Sequence, residues 1–169
     1  MKTFCTYLLL LPLIIALNSC EDDDKIKGPI PFRFEFTSFG GPVAGDTSCG
    51  DAPIVLVRQE GEGEDILLGK FTFVAQFCNN LETGAYFDGP NVFGYFEAEN
   101  GDQLNIVGPG GQVIPSTKEG YDLMFQDPIN FEDGTGRFEG ATGTGMTDSF
   151  VILAEGRTDH VWSGTLILK

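Results

Sequence analysis

The chain has 169 residues and a formal net charge of −15, from 25 acidic against 10 basic side chains. That length suits one domain, and that charge excludes nucleic acid as a partner, because such binding rests on Lys and Arg neutralising phosphates. It also excludes adhesion to anionic membrane surfaces other than through a covalent anchor.

Met1-Lys2 is a minimal basic start, and residues 7–17 form an almost unbroken apolar run. A bilayer crossing needs ~20 apolar residues, so the run reads as the core of a secretory signal. It ends in Leu17-Asn18-Ser19-Cys20. This resembles a bacterial lipobox, with Cys20 becoming the lipidated first residue of the processed chain. Glu21-Asp22-Asp23-Asp24-Lys25 follows, and a block of like charge stays solvated and serves as a tether. In this place it resembles the surface-export signal of Bacteroidetes lipoproteins. The expected organisation is a signal over residues 1–19, an acidic tether over 20–30 and one folded domain over 31–169. The resemblances imply an outer-membrane protein, held by Cys20 and exposed at the cell surface.

Period-two alternation dominates the rest. Phe32, Phe34 and Phe36 share one strand face, opposite Arg33, Glu35 and Thr37. Ile54-Val55-Leu56-Val57 is a buried-looking run after Pro53, and Gly61-Glu62-Gly63-Glu64-Asp65 reads as a polar turn. Residues 66–78 form a long strand with Phe71, Phe73, Ala75 and Phe77 on one face. Strands over 92–99 and 103–107 flank Asn100-Gly101-Asp102, and Asn-Gly between such runs is a strong hairpin signal. Asn100 and Asp102 are therefore expected as turn residues. A loop over 108–120 precedes a strand over 121–131 broken at Pro128. A last hairpin pairs 144–154 with 161–168, turning at Gly156-Arg157-Thr158-Asp159. Eight or nine short strands without a convincing helix after the signal predict an antiparallel barrel or sandwich.

Four cysteines are present. Cys5 lies in the signal and Cys20 is the lipid site, which leaves Cys49 and Cys78 in an oxidising compartment. They are expected to form a disulfide, with two free thiols as the alternative. His160 is the only histidine. It reads as a strand start at the surface, with catalysis as the alternative; no G-x-S-x-G serine or cysteine partner accompanies it. One histidine and a paired cysteine couple do not make a usual zinc site, no EF-hand loop is present, and no cofactor is called for. Glu97 and Glu99 share a face, and Glu35 alternates with phenylalanines. An outward solvated row is the expectation, against a buried acid of raised pKa.

The segment Asp133-Gly134-Thr135-Gly136-Arg137-Phe138-Glu139-Gly140-Ala141-Thr142-Gly143-Thr144-Gly145 needs special backbone. It misses the dinucleotide fingerprint by one residue, and no G-K-[ST] or helix follows. It reads as a tight β corner in which Phe138 plugs one end of the core and Arg137 holds carbonyls or a carboxylate. Gly134 to Gly143, with the preceding Asn100-Gly101-Asp102-Gln103-Leu104 and Leu68-Gly69-Lys70-Phe71-Thr72, resembles a pattern of secreted bacterial proteins similar to the allene oxide cyclase barrel, whose fold plant dirigent proteins share. The resemblance spans residues 68–169. It implies an all-β, closed antiparallel barrel of about eight strands, calycin-like, with a central apolar cavity, and it carries no catalytic residue across. Residues 25–59 fall outside it, as first barrel strands or an elaboration.

Of the 15 phenylalanines only Phe4 precedes residue 31. They either fill such a barrel or line its cavity, and an eight-stranded interior permits both. Three functions compete. One is a lipid-anchored barrel that binds a small apolar ligand or presents a surface to partners, without catalysis. Another is a structural envelope component with a filled barrel. The third is an isomerase similar to allene oxide cyclase. Sequence leaves the oligomeric state open.

Overall fold

A computed structural model describes residues 28–169. The signal, Cys20 and the acidic run lie outside the described residues. Twelve strands follow in order: β1 (Ile30–Pro42), β2 (Ile54–Asp65), β3 (Gly69–Asn80), β4 (Ala85–Phe87), β5 (Phe93–Ala98), β6 (Gln103–Val107), β7 (Gly111–Gln112), β8 (Ile114–Pro115), β9 (Leu123–Phe125), β10 (Pro128–Gly134), β11 (Thr142–Ile152) and β12 (Arg157–Ile167). Eight of them close an antiparallel barrel in the ring order β1-β2-β3-β5-β6-β10-β11-β12, and β12 pairs back to β1. Strands β4, β7, β8 and β9 lie outside the ring, on β3 and β11. Residues 28–59 thus supply β1 and the first half of β2, the first barrel strands rather than an elaboration.

Alternation builds the ring. On β1, Phe32, Phe34, Phe36 and Ser38 are buried while Arg33 and Glu35 are exposed. On β12, Thr158, His160, Trp162 and Leu166 point inward. The register Phe36↔His160 and Ser38↔Thr158 sets these two rows side by side.

Chain direction gives the barrel two distinct ends. The chain enters at Ile30, opposite Leu166, and the β2–β3 and β5–β6 turns lie at that same end. Here Phe34, Phe96, Phe131, Phe138, Leu104 and Leu166 are wholly buried or nearly so. Phe34 meets Phe96 edge-on at 5.1 Å, and Phe32 meets Phe131 at 5.3 Å. Each such ring contributes roughly 1.5–3 kcal/mol through burial. Gly145 makes room for this packing: a β-carbon there would lie 2.8 Å from the Phe32 ring.

Several elements differ from the sequence expectation. Residues 61–65 are not a turn but the second half of β2, with Glu62 and Glu64 exposed. Gly63 faces inward, where the Phe36 and Phe71 side chains occupy the space a β-carbon would need. The turn is instead at Ile66-Leu67-Leu68, where the Asp65 carboxylate accepts the Leu67 N–H at 2.6 Å. β3 accordingly begins at Gly69. The break in 121–131 falls at Gln126-Asp127, and Pro128 opens β10. The last reversal is a 3-10 turn over Leu153–Glu155, capped by left-handed Gly156. β12 therefore starts at Arg157, and of the four residues expected in the turn Gly156 is there while Arg157, Thr158 and Asp159 are strand residues.

Candidate functional site

The end opposite the chain entry is hollow. A cavity of about 340 Å³ opens there, walled by Val57, Phe73, Phe77, Phe125, Ile129 and Trp162. Exposed Leu81, Phe87, Phe93 and Leu153 stand at its rim. The cavity follows from side-chain size. The inward row of β1 runs Phe32, Phe34, Phe36, Ser38 and then Gly40, while Ala75 on β3 and Gly94 on β5 face the same space.

A polar tier crosses the barrel between the hollow end and the packed end. The Trp162 indole N–H donates to Ser149 Oγ at 3.0 Å. Ser149 Oγ lies 2.8 Å from His160 Nδ1, and Ser38 Oγ lies 2.8 Å from His160 Nε2. Ser38 donates onward to Gln59 Oε1. One assignment leaves no proton stranded. Ser149 donates to Nδ1, and the imidazole carries its proton on Nε2 and donates to Ser38. The tier is then a single directed chain from Trp162 to Gln59.

His160 is held neutral. Its ring stacks on Phe36 with centroids 4.3 Å apart and meets Trp162 and Phe73. Burial pushes its pKa down to about 3, against a smaller opposing pull from the Asp159 carboxylate. This corrects the surface position expected for His160. The strand begins three residues before it, so its parity is that of Thr158 and Trp162, and the charged Arg157 and Asp159 take the outer face. There the Asp159 carboxylate, raised by partial burial, is carried down to about 2 by hydrogen bonds from Arg157, Tyr121 and Thr37. The serine–histidine contacts resemble part of a nucleophilic triad. However, Ser38 and Ser149 are wholly buried and neither lines the cavity. A histidine titrating near 3 is also far from the operating range of a general base.

Thr158 is the exception in the tier. It is 1% exposed and lines the cavity, yet its Oγ1 has no hydrogen-bond partner among the described residues. An unpaired buried hydroxyl costs roughly 1–3 kcal/mol, so its presence calls for an explanation. Gln59, which spends its carbonyl on Ser38, lines the same cavity.

The outer strands partly cover the mouth. Tyr86 on β4 donates to Asp127 at 2.9 Å, and the Gln112 N–H of β7 reaches the same carboxylate oxygen. Burial and then the Asp127 carboxylate raise the Tyr86 phenol well above its ordinary pKa. Cys49 and Cys78 are joined in a disulfide, with Cα atoms 5.6 Å apart. Cys78 lies near the C-terminal end of β3, paired with Phe87 of β4, so the bond ties the segment between β1 and β2 to this end.

The glycine-rich motif lies at the packed end, away from the cavity. Asn100, Gly101 and Asp102 form the β5–β6 turn, and Asn100 Oδ1 accepts the Asp102 N–H at 3.1 Å. Arg137 sits 3.6 Å from the Asp102 carboxylate, donates to the Leu68 carbonyl at 3.0 Å and lies over the Phe138 ring. Gly136 has φ +57°, and any β-carbon there would strike the Asp102 carboxylate. Phe138 is wholly buried in the core cluster. The Asp133 carboxylate accepts the Gly140 N–H at 2.7 Å; that bond and one from Gly134 hold it below its ordinary pKa. Gly134 packs against the Gln103 carbonyl and Gly143 against Leu166 and Phe131. These residues clasp three turns together and none lines the hollow end; Asp133, Gly140 and Gly143 border a separate, more polar surface hollow with Thr142, Thr165 and Lys169.

The carboxylates of β1 and β5 stay outside. Glu35 is exposed and pairs with Arg33, Glu99 is exposed, and Glu97 accepts from Gln103 at 2.6 Å. Among the described residues, no group of three or more His, Cys, Asp or Glu is placed to hold a metal ion. Sequence reading missed Ser38, Gln59, Ser149 and Thr158. The available signal was parity: Ser38 continues the phenylalanine row, and Thr158 shares the row of Trp162. No protein-family model, no curated protein and no solved structure matches this chain.

Proposed function

We propose that this protein is a lipid-anchored envelope barrel that binds a small apolar molecule in its hollow end. One observation carries the reading: an apolar cavity of about 340 Å³ holding a buried hydroxyl with no partner. Such a volume falls within the usual range of small-molecule sites, which combine apolar walls with a few placed polar groups. The resemblance to the allene oxide cyclase barrel agrees with it, since that fold is a closed eight-stranded ring around a cavity.

The anchor and the cavity suit each other geometrically. The chain enters the barrel at Ile30, on the packed end. A lipid on Cys20 would therefore tether that end and leave the mouth facing away from the membrane, toward ligands outside the cell. Native mass spectrometry of the protein taken from its own organism, with solvent extraction, tests the binding. One apolar molecule per chain is expected. An empty barrel whose Trp162 emission ignores every apolar additive overturns the reading. Cys20→Ser tests the anchor separately and is expected to move the protein out of the membrane fraction.

A further inference from the structure

We infer that the cavity selects a neutral, largely apolar molecule of up to ~14 heavy atoms carrying one hydrogen-bond-accepting oxygen, such as a ketone or ester carbonyl, which meets the Thr158 hydroxyl and an N–H of Gln59. The size follows from scaling an apolar cavity of ~150 Å³ that takes one benzene. The inference rests on the ligand-binding reading above and adds to it the chemical class.

Three observations carry it. The Thr158 hydroxyl can donate as well as accept, but the free groups of Gln59 only donate, so an accepting oxygen is what answers both. Thr158 has a hydroxyl proton without an acceptor, and Gln59 has its amide N–H groups, because its carbonyl already takes the Ser38 proton. They stand close together, on either side of Ser38: Thr158 pairs with Ser38 across β1 and β12, and Gln59 bonds to the Ser38 hydroxyl from β2. A single acceptor oxygen with two lone pairs answers both donors. Second, the lining offers no cation. Its ionisable members are Tyr86, Asp88 and His160; Asp88 is exposed at the mouth, and the Tyr86 hydroxyl is engaged by Asp127. A carboxylate taken to the tier would be a buried charge without a counter-ion, and it would approach a chain of net charge −15. An ammonium would find its only carboxylate at the rim. Third, the other polar side chains of the lining are engaged within the protein, Gln76 by Arg58 and the Asn91 carbonyl, Asn79 by the Gly84 and Ala85 carbonyls and Thr147 by the Asp127 carbonyl, and the rest of the walls are mainly hydrocarbon and aromatic, which rewards an apolar body.

Trp162 is the only tryptophan and lies in the cavity wall, so its emission reports occupancy directly. The probes are four molecules with one shared phenylalkyl body: butylbenzene, 4-phenyl-2-butanone, 4-phenylbutyrate and 4-phenylbutylammonium. In the purified wild-type protein the ketone is expected to bind about tenfold more tightly than the hydrocarbon, the difference one buried hydrogen bond supplies. The two ions are expected to bind more weakly than either. Thr158→Val should erase the ketone's advantage while leaving the hydrocarbon's affinity in place, and Thr158→Ser should keep it. A hydrocarbon that binds as well as the ketone, or a ketone preference that survives Thr158→Val, overturns the assigned class and leaves the cavity reading standing. An ion that binds most tightly does the same. If no probe reaches Trp162, the cavity reading falls and this inference with it. Should Thr158→Val fail to fold, the wild-type ranking and Thr158→Ser still decide.

Discussion

At the end where the chain enters the barrel, Phe34, Phe96, Phe131 and Phe138 interlock behind the Asp102–Arg137 clasp. At the other end, the same strands carry Ser38, Gly40, Ala75, Gly94 and Thr158, and a cavity remains. On the side of β1, β11 and β12 backbone pairing is continuous through both. There the hollow is not a defect of strand pairing. It is the side-chain volume withheld from one half of an interior that large residues fill in the other. Stability and binding are divided along the barrel axis.

The largest test of that division is a truncation at each end. Phe138→Ala should lower the unfolding free energy by roughly 3–5 kcal/mol, because a wholly buried ring leaves a cavity in packed surroundings. Val151→Ala, at a half-buried wall that already borders open space, should cost only about 1 kcal/mol. Urea unfolding of both variants gives the comparison, and equal losses would mean that the two ends are packed alike. Next in size is the disulfide. Replacing Cys49 and Cys78 by alanine should remove about 3–4 kcal/mol in the chain-entropy model. Hydrogen exchange should then rise in residues 43–53 and 81–92 and stay unchanged around Leu104 and Phe131. Exchange rising equally at both ends breaks the division.

How much of this was legible from sequence follows the same divide. The packed end was readable because its signals are local: phenylalanines at every second position of β1, and an Asn-Gly turn. The glycine-rich motif announced a corner, and Arg137 and Phe138 occupy it. One stretch toward the packed end was misread, because Gly and Glu have low strand preference and residues 61–65 read as a turn although their alternation was that of a strand. The hollow end was hidden for a different reason. Its tier is non-local: Ser38 and His160 are 122 residues apart and meet only through barrel closure. The placement of His160 failed on one boundary, because Gly156-Arg157-Thr158-Asp159 has turn composition and yet only Gly156 belongs to the turn, while Arg157-Thr158-Asp159 opens β12.

The tier makes the hollow end acid-sensitive in a defined window. The folded-state pKa of His160, about 3, lies below its ordinary 6.5. On acidification the unfolded chain takes the proton first. The stabilisation is complete above pH 6.5 and is lost as pH falls toward 3. Linkage puts the loss at about 2 kcal/mol by pH 5, before most carboxylates titrate. Urea midpoints at pH 7 and pH 5 measure it, and His160→Gln should remove that difference. A wild-type stability that is flat from pH 7 to pH 5 would mean that water or a proton reaches the imidazole, and the tier would then not seal the packed half from the mouth.

The smallest expected effect separates the two ends most sharply. Thr158→Val removes a buried hydroxyl that has no partner and keeps the shape of the side chain. It should raise stability by roughly 1 kcal/mol, read as a higher urea midpoint in ligand-free protein. The neighbouring substitution Ser149→Ala should do the reverse, because Ser149 joins Trp162 to His160 and its loss strands a donor. Two hydroxyls one register step apart, both buried, would then have opposite signs. A site that is more stable without its hydroxyl is one whose folded state alone gives no reason for that hydroxyl. If Thr158→Val instead destabilises the protein, an ordered water already satisfies Oγ1, and the cavity is wet down to its polar tier.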